Sequence, residues 1–395
     1  MSSAARASSE AIVVGAGVVG AAVASALARD GWRVTVLESG FVGGGTTSAG
    51  MGHLVAMDDS PAQLALTALS VRLWADLAPE LPREVEYRAT GTIWVAEDDE
   101  QLAGVAARRE MYEGAGIRTE LLDQSSLAEA EPWLREGLAG GLRIAGDAVV
   151  YPPRAALHFV NDAIAHGATL REGTSVERIV AHGVLLADGT VMHADVVVNA
   201  AGAHAPELTP GLPIVPRKGH LVITDRYPGV CRHQLVELGY LASAHGMTSE
   251  SVAFNLQPRA TGQLLIGSSR ELVDWDARIN DRLVRQMLER ALSFVPALAT
   301  TSVIRTWTGF RPATPDKLPL IGPWDPVPGL WIAAGHEGLG ITTATGTARI
   351  LADLVAGRAT LVDAAPYAPS RGRGRDGVGT GLRWNDDGGG MALDG

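Results

Sequence analysis

The hydrophobic positions at the start of the chain predict a strand, a helix and a second strand. Residues 11–15 (AIVVG) form a short apolar run, residues 18–31 (VVGAAVASALARDG) have the spacing of a helix that ends at a glycine, and residues 33–39 (RVTVLES) alternate like a strand. Residues 11–28 carry no charge, which also suits a signal sequence or a membrane span. Their spaced glycines favour a βαβ unit, and we expect no transmembrane span.

Later patterns alternate between helices and strands until the composition changes near the C-terminus. Helical spacing is found at 61–81 and 281–296, strand patterns at 91–96, 167–208 and 219–269, and a strand, glycine turn and helix at 329–357. The Asp188-Gly189 pair is a hairpin signal within the second strand region. Residues 369–395 are rich in glycine and poor in apolar side chains, so we expect a disordered tail without a role in chemistry.

The composition argues against several classes of function. A chain of 395 residues with 46% hydrophobic residues is large enough for two domains. Its net charge of -11 and the absence of a long basic block argue against a nucleic-acid partner. Cys231 is the only cysteine, so the chain alone cannot ligate an iron–sulfur cluster through cysteines, and we expect a reducing, cytoplasmic setting. No metal-ligand spacing and no GxSxG motif occur, so no metal site is expected.

A glycine signature follows the first predicted strand. Gly15, Gly17 and Gly20 form GxGxxG between that strand and the first helix, and Glu38 ends the second strand. Glycines there permit a tight turn and close approach of a pyrophosphate to the helix N-terminus, and the acid can accept hydrogen bonds from ribose hydroxyls. The pattern predicts an adenine dinucleotide site; the alternative is a glycine-rich contact of a buried helix.

Three further segments bear on which dinucleotide is bound. Residues 43–53 (GGGTTSAGMGH) are small and hydroxyl-rich, residues 200–202 follow a buried strand, and residues 334–346 (AGHEGLGITTATG) form another glycine turn that opens a helix. A helix N-terminus there could stabilise negative charge on a reduced flavin. Dispersed turns of this kind favour an elongated, enclosed cofactor, although the βαβ unit itself does not separate FAD from a nicotinamide cofactor.

A single arginine stands out in the segment 305–322 (RTWTGFRPATPDKLPLIG). Arg311 lies between an aromatic residue and a proline, and most of the other polar residues around it are small. The sequence leaves three possibilities open: a solvated side chain, an ion pair within the fold, or an anchor for a bound anion. A planar guanidinium matches a carboxylate well.

These motifs together resemble the FAD-dependent D-amino-acid oxidase superfamily, which includes glycine oxidase, sarcosine oxidase and D-amino-acid dehydrogenases. The resemblance rests on VVGAGVVG, ESG…TTSAGM, DVVVNAAGAHA, WTGFRPATPDKLPLIG and AGHEGLGITT, and it extends over residues 11–367. The segments TTSAGMGHLVAMDDS, RHQLVELGYL and GHEGLGITTATGTARILADLV are most similar to the flavin subunits of D-hydroxyproline dehydrogenases, hydrogen cyanide synthases and opine oxidases.

The resemblance implies an α/β fold with a Rossmann-type FAD-binding domain and a discontinuous second domain built on a mixed, mostly antiparallel β-sheet. The expected FAD-binding domain comprises residues 1–86, 145–216 and 300–368, and the substrate domain residues 87–144 and 217–299. The residues expected to hold non-covalent FAD are Gly15, Ala16, Gly17, Val18, Val19, Gly20, Glu38, Ser39, Thr46, Thr47, Ser48, Ala49, Gly50, Met51, Val176, Ala200, Ala201, Gly202, His336, Glu337, Gly338, Leu339, Gly340, Ile341 and Thr342.

The resemblance also implies a catalytic role for Arg311 as the ligand of the substrate carboxylate. Members of the family place a tyrosine hydroxyl beside that arginine, and the matching position here is expected to be Phe254, so Tyr240 is considered as a substitute. Sarcosine oxidases attach flavin through a cysteine whose position matches Gly309, which makes covalent attachment through cysteine unexpected. His53 is a further candidate to face the flavin or the substrate amine, the alternative being a structural histidine.

The implied reaction is the oxidation of a small amino or imino acid, such as D-proline, hydroxy-D-proline or glycine, by hydride transfer from Cα to flavin N5 to give an imine. A dehydrogenase that passes electrons to iron–sulfur or other acceptor subunits is favoured over an oxidase that uses oxygen. Two alternatives are a non-catalytic flavin subunit for electron transfer and a nicotinamide-dependent dehydrogenase. Arg311 argues against a pure electron carrier, which needs no carboxylate anchor.

Overall fold

The computed structural model describes residues 9–239 and 250–371. The strands are β1 (Glu10–Val14), β2 (Arg33–Leu37), β3 (His53–Leu54), β4 (Thr92–Ala96), β5 (Thr119–Asp123), β6 (Gly140–Ile144), β7 (Ala148–Val149), β8 (Thr169–Arg171), β9 (Val176–Val180), β10 (Gly183–Leu186), β11 (Val191–His193), β12 (Val196–Asn199), β13 (Val215–Arg226), β14 (Gln234–Glu237), β15 (Glu250–Pro258), β16 (Gln263–Glu271), β17 (Val303–Ala313), β18 (Leu320–Pro323) and β19 (Leu330–Ala334). The α-helices are α1 (Val18–Arg29), α2 (Pro61–Leu77), α3 (Asp99–Gly114), α4 (Gln124–Ala130), α5 (Pro152–Ala165), α6 (Ala205–Leu208), α7 (Asp281–Phe294) and α8 (Gly340–Val355).

A six-stranded sheet forms the first half of the architecture, with the strand order β18-β19-β12-β1-β2-β8. All its pairs are parallel except β18 with β19. The predicted β1-α1-β2 unit is confirmed, and most of α1 is buried in a core that it shares with α5 and α8. Burial against two helices accounts for the lack of charge in α1 before Arg29.

Two small antiparallel sheets accompany it: β9 to β11, and β3 with β7. Strands β10 and β11 are joined by the predicted turn, in which Gly189 has a φ of +85°. That left-handed conformation is accessible to glycine at little cost, which accounts for the hairpin signal.

An eight-stranded sheet forms the second half, with the order β17-β13-β16-β15-β14-β4-β6-β5. Only the β14–β4 pair is parallel, so the sheet is mixed and mostly antiparallel. The predicted fold class is therefore confirmed.

The two faces of this sheet differ in what covers them. Val222 and Ile266 pack with Met287 and Phe294 of α7, which defines the outer face. Leu221, the next residue on β13, packs with Met51 from the loop after β2, which defines the inner face. Because successive side chains of a strand point to opposite faces, every other residue of β13, β16 and β17 looks toward the loops of the six-stranded sheet.

The structure differs from two of the predicted boundaries. Strand β17 lies within the predicted FAD-binding segment 300–368 but pairs with β13 in the eight-stranded sheet. Arg371 lies within the predicted tail, yet its guanidinium donates to both carboxylate oxygens of Asp316 at 2.7 and 2.9 Å, so the ordered fold extends at least to this residue. Residues 372–395 and Tyr240 lie outside the described residues. The domain division itself stays a prediction.

Over residues 9–239 and 250–371, no helix is long and apolar enough to cross a membrane. In the same ranges, no group of three or more His, Cys, Asp or Glu side chains is arranged to hold a metal ion.

Candidate active site

The turn between β1 and α1 is closely packed around its glycines. Gly15 has a φ of +102°, and a methyl group on its Cα would lie 2.7 Å from the carbonyl oxygen of Ala200. A methyl group on Gly20 would clash with the carbonyl oxygen of Gly15. Only glycine fits at either position, so the turn can bring its backbone amides and the N-terminus of α1 against a ligand.

Glu38 and Thr47 fix the amides at this turn. The Glu38 carboxylate accepts hydrogen bonds from the backbone N–H groups of Ala16 and Gly40, both at 2.8 Å, and the Thr47 hydroxyl accepts from Val18 N at 3.0 Å. Each carboxylate oxygen has two lone pairs, so Glu38 can also accept from ribose hydroxyls. Ser39 is exposed, and its hydroxyl lies 3.4 Å from the Glu38 carboxylate.

The loop at residues 46–51 joins the two sheets. Thr46 donates to the carbonyl oxygen of Phe310 on β17 at 2.6 Å. The Ser48 hydroxyl donates to the nearby carbonyl oxygens of Gly44 and Gly45. The carbonyl oxygen of Ala49 accepts from the indole of Trp307 at 3.3 Å. The predicted cofactor loop is therefore held against the inner face of the eight-stranded sheet.

The N-terminus of α8 contacts both the start of α1 and the loop at residues 46–51. A methyl group on Gly340 would lie 3.8 Å from Val19, and one on Gly50 would lie 2.7 Å from Ile341. The Thr342 hydroxyl donates to the carbonyl oxygen of His53 at 2.9 Å. Residues 336–342 thus lie between the start of α1 and the loop at 46–53.

The remaining predicted cofactor residues lie near the turn that follows β1. Ala200 accompanies Gly15, Ala201 N donates to Asn199 Oδ1 at 3.2 Å, and Gly202 has a φ of +58°. Val176 starts β9 and packs in the cluster that includes Val14 and Leu37.

The predicted cofactor segments come together at the carboxyl ends of β1, β2, β12 and β19, the edge where open α/β sheets bind ligands. The glycine cradle, the α1 N-terminus and the acceptor Glu38 fit a dinucleotide. The residues present are therefore suited to hold FAD.

Arg311 lies on the inner face of the eight-stranded sheet, near the turn that precedes α8. Its Nη1 donates to the carbonyl oxygen of Ser269 at 3.0 Å. A methyl group on Gly219, on the neighbouring strand, would lie 2.6 Å from the Arg311 Cζ, so the guanidinium lies flat over this glycine. A methyl group on Gly338 would lie 3.7 Å from the Arg311 Nε. The guanidinium thus occupies a place between the inner face and the predicted cofactor segment.

Replacing Gly219 with alanine is expected to displace the Arg311 side chain while leaving the fold intact. The added methyl group meets the far end of a flexible side chain rather than backbone, so stability changes little. The role that the resemblance implies for Arg311, as ligand of a substrate carboxylate, predicts that kcat/KM for such substrates falls by about 10- to 100-fold, because a displaced guanidinium loses a charge-assisted hydrogen bond. Anaerobic flavin reduction measures it, with Gly104→Ala on α3, where a methyl group meets nothing within 4 Å, as the matched control. An unchanged rate with Gly219→Ala would contradict this role.

Two arginines that the sequence reasoning missed lie beside Arg311. Arg217 is its direct cross-strand partner on β13, and Arg270 on β16 lies on the same inner face next to Gly219. Both are buried and pair with one oxygen of Glu337: Arg217 Nη1 at 3.0 Å and Arg270 Nε at 3.6 Å. Glu337 has a φ of +47°, which is costly for a residue other than glycine, and its ion pairs help to hold it there.

Phe254 does not lie beside Arg311, although the resemblance matched it to the tyrosine that other members place there. Its ring stacks on Phe294 of α7 with 4.3 Å between centroids, in the core under the outer face, away from Arg311. The next residue, Asn255, pairs with Gly267 and lies on the inner face, as does Gln257 two residues later. Both are buried, and the Oδ1 of Asn255 and both amide atoms of Gln257 have no hydrogen-bond partner among the described residues. These amides are candidates to contact a ligand over the inner face.

The two predicted histidines are neutral at physiological pH. Burial lowers the pKa of His53 and of His336 to about 3 in each case. The His336 Nε2 lies 2.9 Å from the Thr347 hydroxyl within the protein. The His53 Nε2 is sealed from solvent, and no hydrogen-bond partner for it exists in the described part of the chain. The His336 ring is therefore hydrogen-bonded within the protein, which indicates a structural role. His53 has one ring nitrogen that can contact a ligand.

The one cysteine of the chain lies far from these segments. Cys231 is buried in the outer-face core, where its thiol donates to the carbonyl oxygen of His233 and burial raises its pKa. At Gly309 a methyl group would clash with the Cβ of Ala49, so no larger side chain fits without a shift. The geometry therefore gives no support to flavin attachment through cysteine.

Asp147 gives the fold a distinct dependence on pH. Burial raises its pKa to about 7, although hydrogen bonds from Thr92 and from the Ala56 N–H oppose the shift. Because the folded carboxyl holds its proton more tightly than the unfolded one, its contribution to stability is full below the unfolded pKa and is lost as pH rises through about 7.

Asp147→Asn is therefore expected to gain stability over the wild type as pH rises. From pH 5 to 8 the difference in free energy of unfolding should grow by roughly 2 to 3 kcal/mol in favour of the amide, which never ionises. Unfolding curves at several pH values, at the same excess of FAD, measure this difference. Asp76→Asn at an exposed site of α2 is the control, and parallel curves for Asp147→Asn and the wild type would refute the assignment.

Known proteins are similar to this chain over most of its length. The profile of the DAO family, described as FAD dependent oxidoreductase, matches residues 10–354. Glycine oxidase of Geobacillus kaustophilus is 31% identical over 382 residues, covering 93% of this chain and 98% of the relative. Its crystal structure superposes with a TM-score of 0.82 over 93% of this chain and 99% of that one.

Two further proteins are similar to the chain over most of its length. Hydrogen cyanide synthase subunit HcnC of Pseudomonas aeruginosa is 28% identical and covers 91% of this chain and 95% of its own. The crystal structure of L-proline dehydrogenase from P. horikoshii has a TM-score of 0.82 at 26% identity, covering 92% of this chain and 97% of that one. The resemblance predicted from the sequence motifs is confirmed.

Proposed function

The chain belongs to the DAO family of FAD-dependent oxidoreductases, and from this premise we propose that it oxidises a small amino or imino acid at the carbon that bears nitrogen, with Arg311 as the anchor of the substrate carboxylate. FAD-dependent oxidation of an amino acid is the activity that its family and relatives support. The particular substrate and the mechanism are proposals.

The observation that carries the proposal is the place of Arg311. Its guanidinium lies on the inner face, over Gly219 and beside Gly338 in the segment proposed to face the flavin. A planar fork of N–H donors at this point can bind a carboxylate in two-point fashion and aim the adjacent carbon at the cofactor. A carrier of electrons alone would not need such an anchor.

FAD is proposed to be held without a covalent bond by the glycine turn at 15–20, by Glu38, and by the segments 46–51, 200–202 and 336–342. When bound, FAD supplies the acceptor for the hydride that leaves the substrate carbon. The N-terminus of α8 has no acidic residue in its first turn, so its partial positive charge is available to stabilise negative charge on the cofactor.

The protein's own contribution is orientation and exclusion of water. Met51, Leu221, Leu265 and Trp307 form an apolar wall on the inner face next to Gly219. An amine bound in its neutral form has a lone pair that favours loss of the hydride, so no general base is assigned. His53, neutral because burial lowers its pKa to about 3, is proposed to contact the substrate or the flavin through its Nε2. Orientation in a dry site can supply most of the rate enhancement.

We favour a dehydrogenase that passes electrons to a partner. Cys231 alone cannot ligate an iron–sulfur cluster, so such a cluster would belong to another subunit. The relative named as a subunit of hydrogen cyanide synthase supports assembly with partners. The relatives named glycine oxidase favour direct use of oxygen as the second candidate.

Anaerobic mixing of the purified yellow protein with amino and imino acids tests the proposed function. D-proline, hydroxy-D-proline, glycine or a similar compound is expected to bleach the flavin absorbance. A protein that no amine bleaches would be an electron carrier, and a protein without flavin would contradict the proposal outright. Readmission of air separates the two candidates: rapid return of colour indicates an oxidase, and slow return with fast reoxidation by an artificial acceptor indicates a dehydrogenase.

A further inference from the structure

A β-bulge in the eight-stranded sheet contacts Arg311. Between two of the paired positions, β13 advances four residues (218 to 222) while β16 advances five (271 to 266), so β16 contains one extra residue. Within this bulge the carbonyl oxygen of Ser269 accepts a hydrogen bond from Arg311 Nη1 at 3.0 Å. Bulges turn groups out of a regular ladder and are common next to active sites. The bulge therefore supplies a backbone acceptor for the guanidinium that is proposed to anchor the substrate.

The hydroxyl of Ser269 binds His220 on the other side of the sheet. His220 follows Gly219 on β13, so its side chain points to the outer face. Ser269 Oγ accepts from the backbone N–H of His220 at 2.9 Å and lies 2.8 Å from the ring Nδ1 of the same residue. Both residues are 0% exposed. The hydroxyl thus takes the place of a backbone acceptor in the interrupted ladder, and the imidazole helps to fix its position.

The hydrogen bonds of His220 determine which ring nitrogen carries the proton. Its Nε2 lies 3.0 Å from the backbone nitrogen of Asn280, which can only donate, so Nε2 is an acceptor. Burial lowers the pKa of His220, which keeps the ring neutral at physiological pH. A neutral imidazole has one donor and one acceptor nitrogen. Nδ1 is therefore the donor to Ser269 Oγ.

Further bonds hold the segment 272–280 against the sheet at this point. Asn280 Nδ2 donates to Glu271 Oε1 at 2.7 Å, and the same carboxylate pairs with Lys218 Nζ at 3.0 Å. Lys218 Nζ also donates to the carbonyl oxygen of Arg278 at 3.1 Å. The backbone N–H that binds the imidazole is therefore itself held in place.

We propose that His220 and Ser269 are positioning residues for Arg311: the imidazole holds the Ser269 hydroxyl, and with it the carbonyl group that orients the guanidinium toward a substrate carboxylate. This inference rests on the proposed function, because it takes Arg311 as the carboxylate anchor. The link passes through the sheet, from the outer face at His220 to the inner face at Arg311. A guanidinium that is already held by a fixed acceptor loses less conformational freedom when it binds a ligand.

The alternative is that His220 and Ser269 only stabilise the sheet. In that case their replacement lowers the stability of the fold, and it changes the binding of all ligands alike or not at all. A positioning role predicts a loss that is confined to ligands with a carboxylate.

Propionate and propionamide separate these possibilities, because they are similar in size and only propionate is charged. Perturbation of the flavin spectrum of the oxidised holoprotein measures the dissociation constant of each. We expect the wild type to bind propionate at least about 10-fold more tightly. His220→Gln retains an acceptor at the place of Nε2 but loses the donor at Nδ1. It should weaken propionate by about 5- to 20-fold, while propionamide changes by less than about 2-fold.

His220→Asn is the matched comparison. Its amide nitrogen can occupy the place of Nδ1, so it retains the donor to Ser269 and should keep most of the preference for propionate. Ser269→Ala removes the hydroxyl but not the carbonyl, and it should resemble His220→Gln. The double variant His220→Gln/Ser269→Ala should lose little more than either single variant, because all three break the same link. His193→Gln, at an exposed position of β11, should match the wild type.

The outcomes distinguish this inference from the proposed function. Equal affinity of the wild type for the two ligands would overturn the anchor role of Arg311, and the positioning role with it. A preference for propionate that persists in His220→Gln and Ser269→Ala, or equal losses for both ligands, would overturn the positioning role alone. If His220→Gln does not fold, Ser269→Ala and His220→Asn decide the matter.

Discussion

Replacing Arg311 with leucine is expected to lower kcat/KM for amino or imino acids by about 100- to 10,000-fold while FAD stays bound. The loss corresponds to two charge-assisted hydrogen bonds of about 1.5–3 kcal/mol each between a guanidinium and a carboxylate. The glycine cradle and Glu38 lie on the six-stranded sheet, away from this side chain. Anaerobic stopped-flow reduction of the flavin measures the rate constant and the dissociation constant of the substrate separately.

The chain offers a matched control on the same strand. Arg305 is exposed and lies over Trp307, so Arg305→Leu makes the same chemical change away from the proposed anchor. Arg311→Lys keeps the charge but loses the planar fork, and should recover only part of the activity. Unchanged kinetics in Arg311→Leu, or equal losses in Arg305→Leu, would show that the carboxylate is bound elsewhere.

The local parts of the fold could be predicted because their physical causes are local. Gly15 is required by its φ of +102°, and Gly20 by its contact with the carbonyl oxygen of Gly15, five residues away. Glu38 follows β2 and meets Ala16 at the start of α1 because the βαβ unit brings these ends together. No strand was predicted around Arg311, which lies on β17, and its sequence neighbours could not show what lies under it.

The grouping of Arg217, Arg270 and Arg311 could not be predicted because it depends on the register of three strands. Arg217, Arg270 and Arg311 are up to 94 residues apart in sequence, counting from 217 to 311, and they share a face only through the pairing of β13 with β16 and β17. A shift of one residue would turn each side chain to the opposite face. The mismatch at Phe254 has the same origin. Phe254 and its neighbour Asn255 point to opposite faces of β15, and only Asn255 lies on the inner face.

Small residues explain how a long side chain fits between two sheets. Gly219 lies under the Arg311 guanidinium, and Gly338 lies beside its Nε. Side chains at these positions would separate the inner face from the turn before α8. Gly219 and Gly338 thus contribute to the shape of the proposed substrate site. The number of glycines in the sequence would not have indicated this role.

Glu38→Lys is expected to weaken FAD binding by at least about 100-fold and to yield protein that purifies largely without colour. Lysine cannot accept hydrogen bonds, so the N–H groups of Ala16 and Gly40 lose their partner and the proposed bonds from the ribose are lost as well. Two charge-assisted bonds of about 1.5–3 kcal/mol each account for the size of the effect. Flavin content per chain and titration of the apoprotein with FAD measure it.

Two further variants separate this effect from a general loss of structure. Glu289→Lys makes the same charge change on the exposed side of α7 and should leave flavin content unchanged. Glu38→Gln retains one acceptor oxygen, so it should bind FAD with intermediate affinity because its hydrogen bonds are no longer charge-assisted. Normal FAD occupancy in Glu38→Lys would mean that the ribose lies elsewhere. Because Glu38 and the Gly15 turn are tied through Ala16, such a result would also remove the argument that places the dinucleotide on the N-terminus of α1.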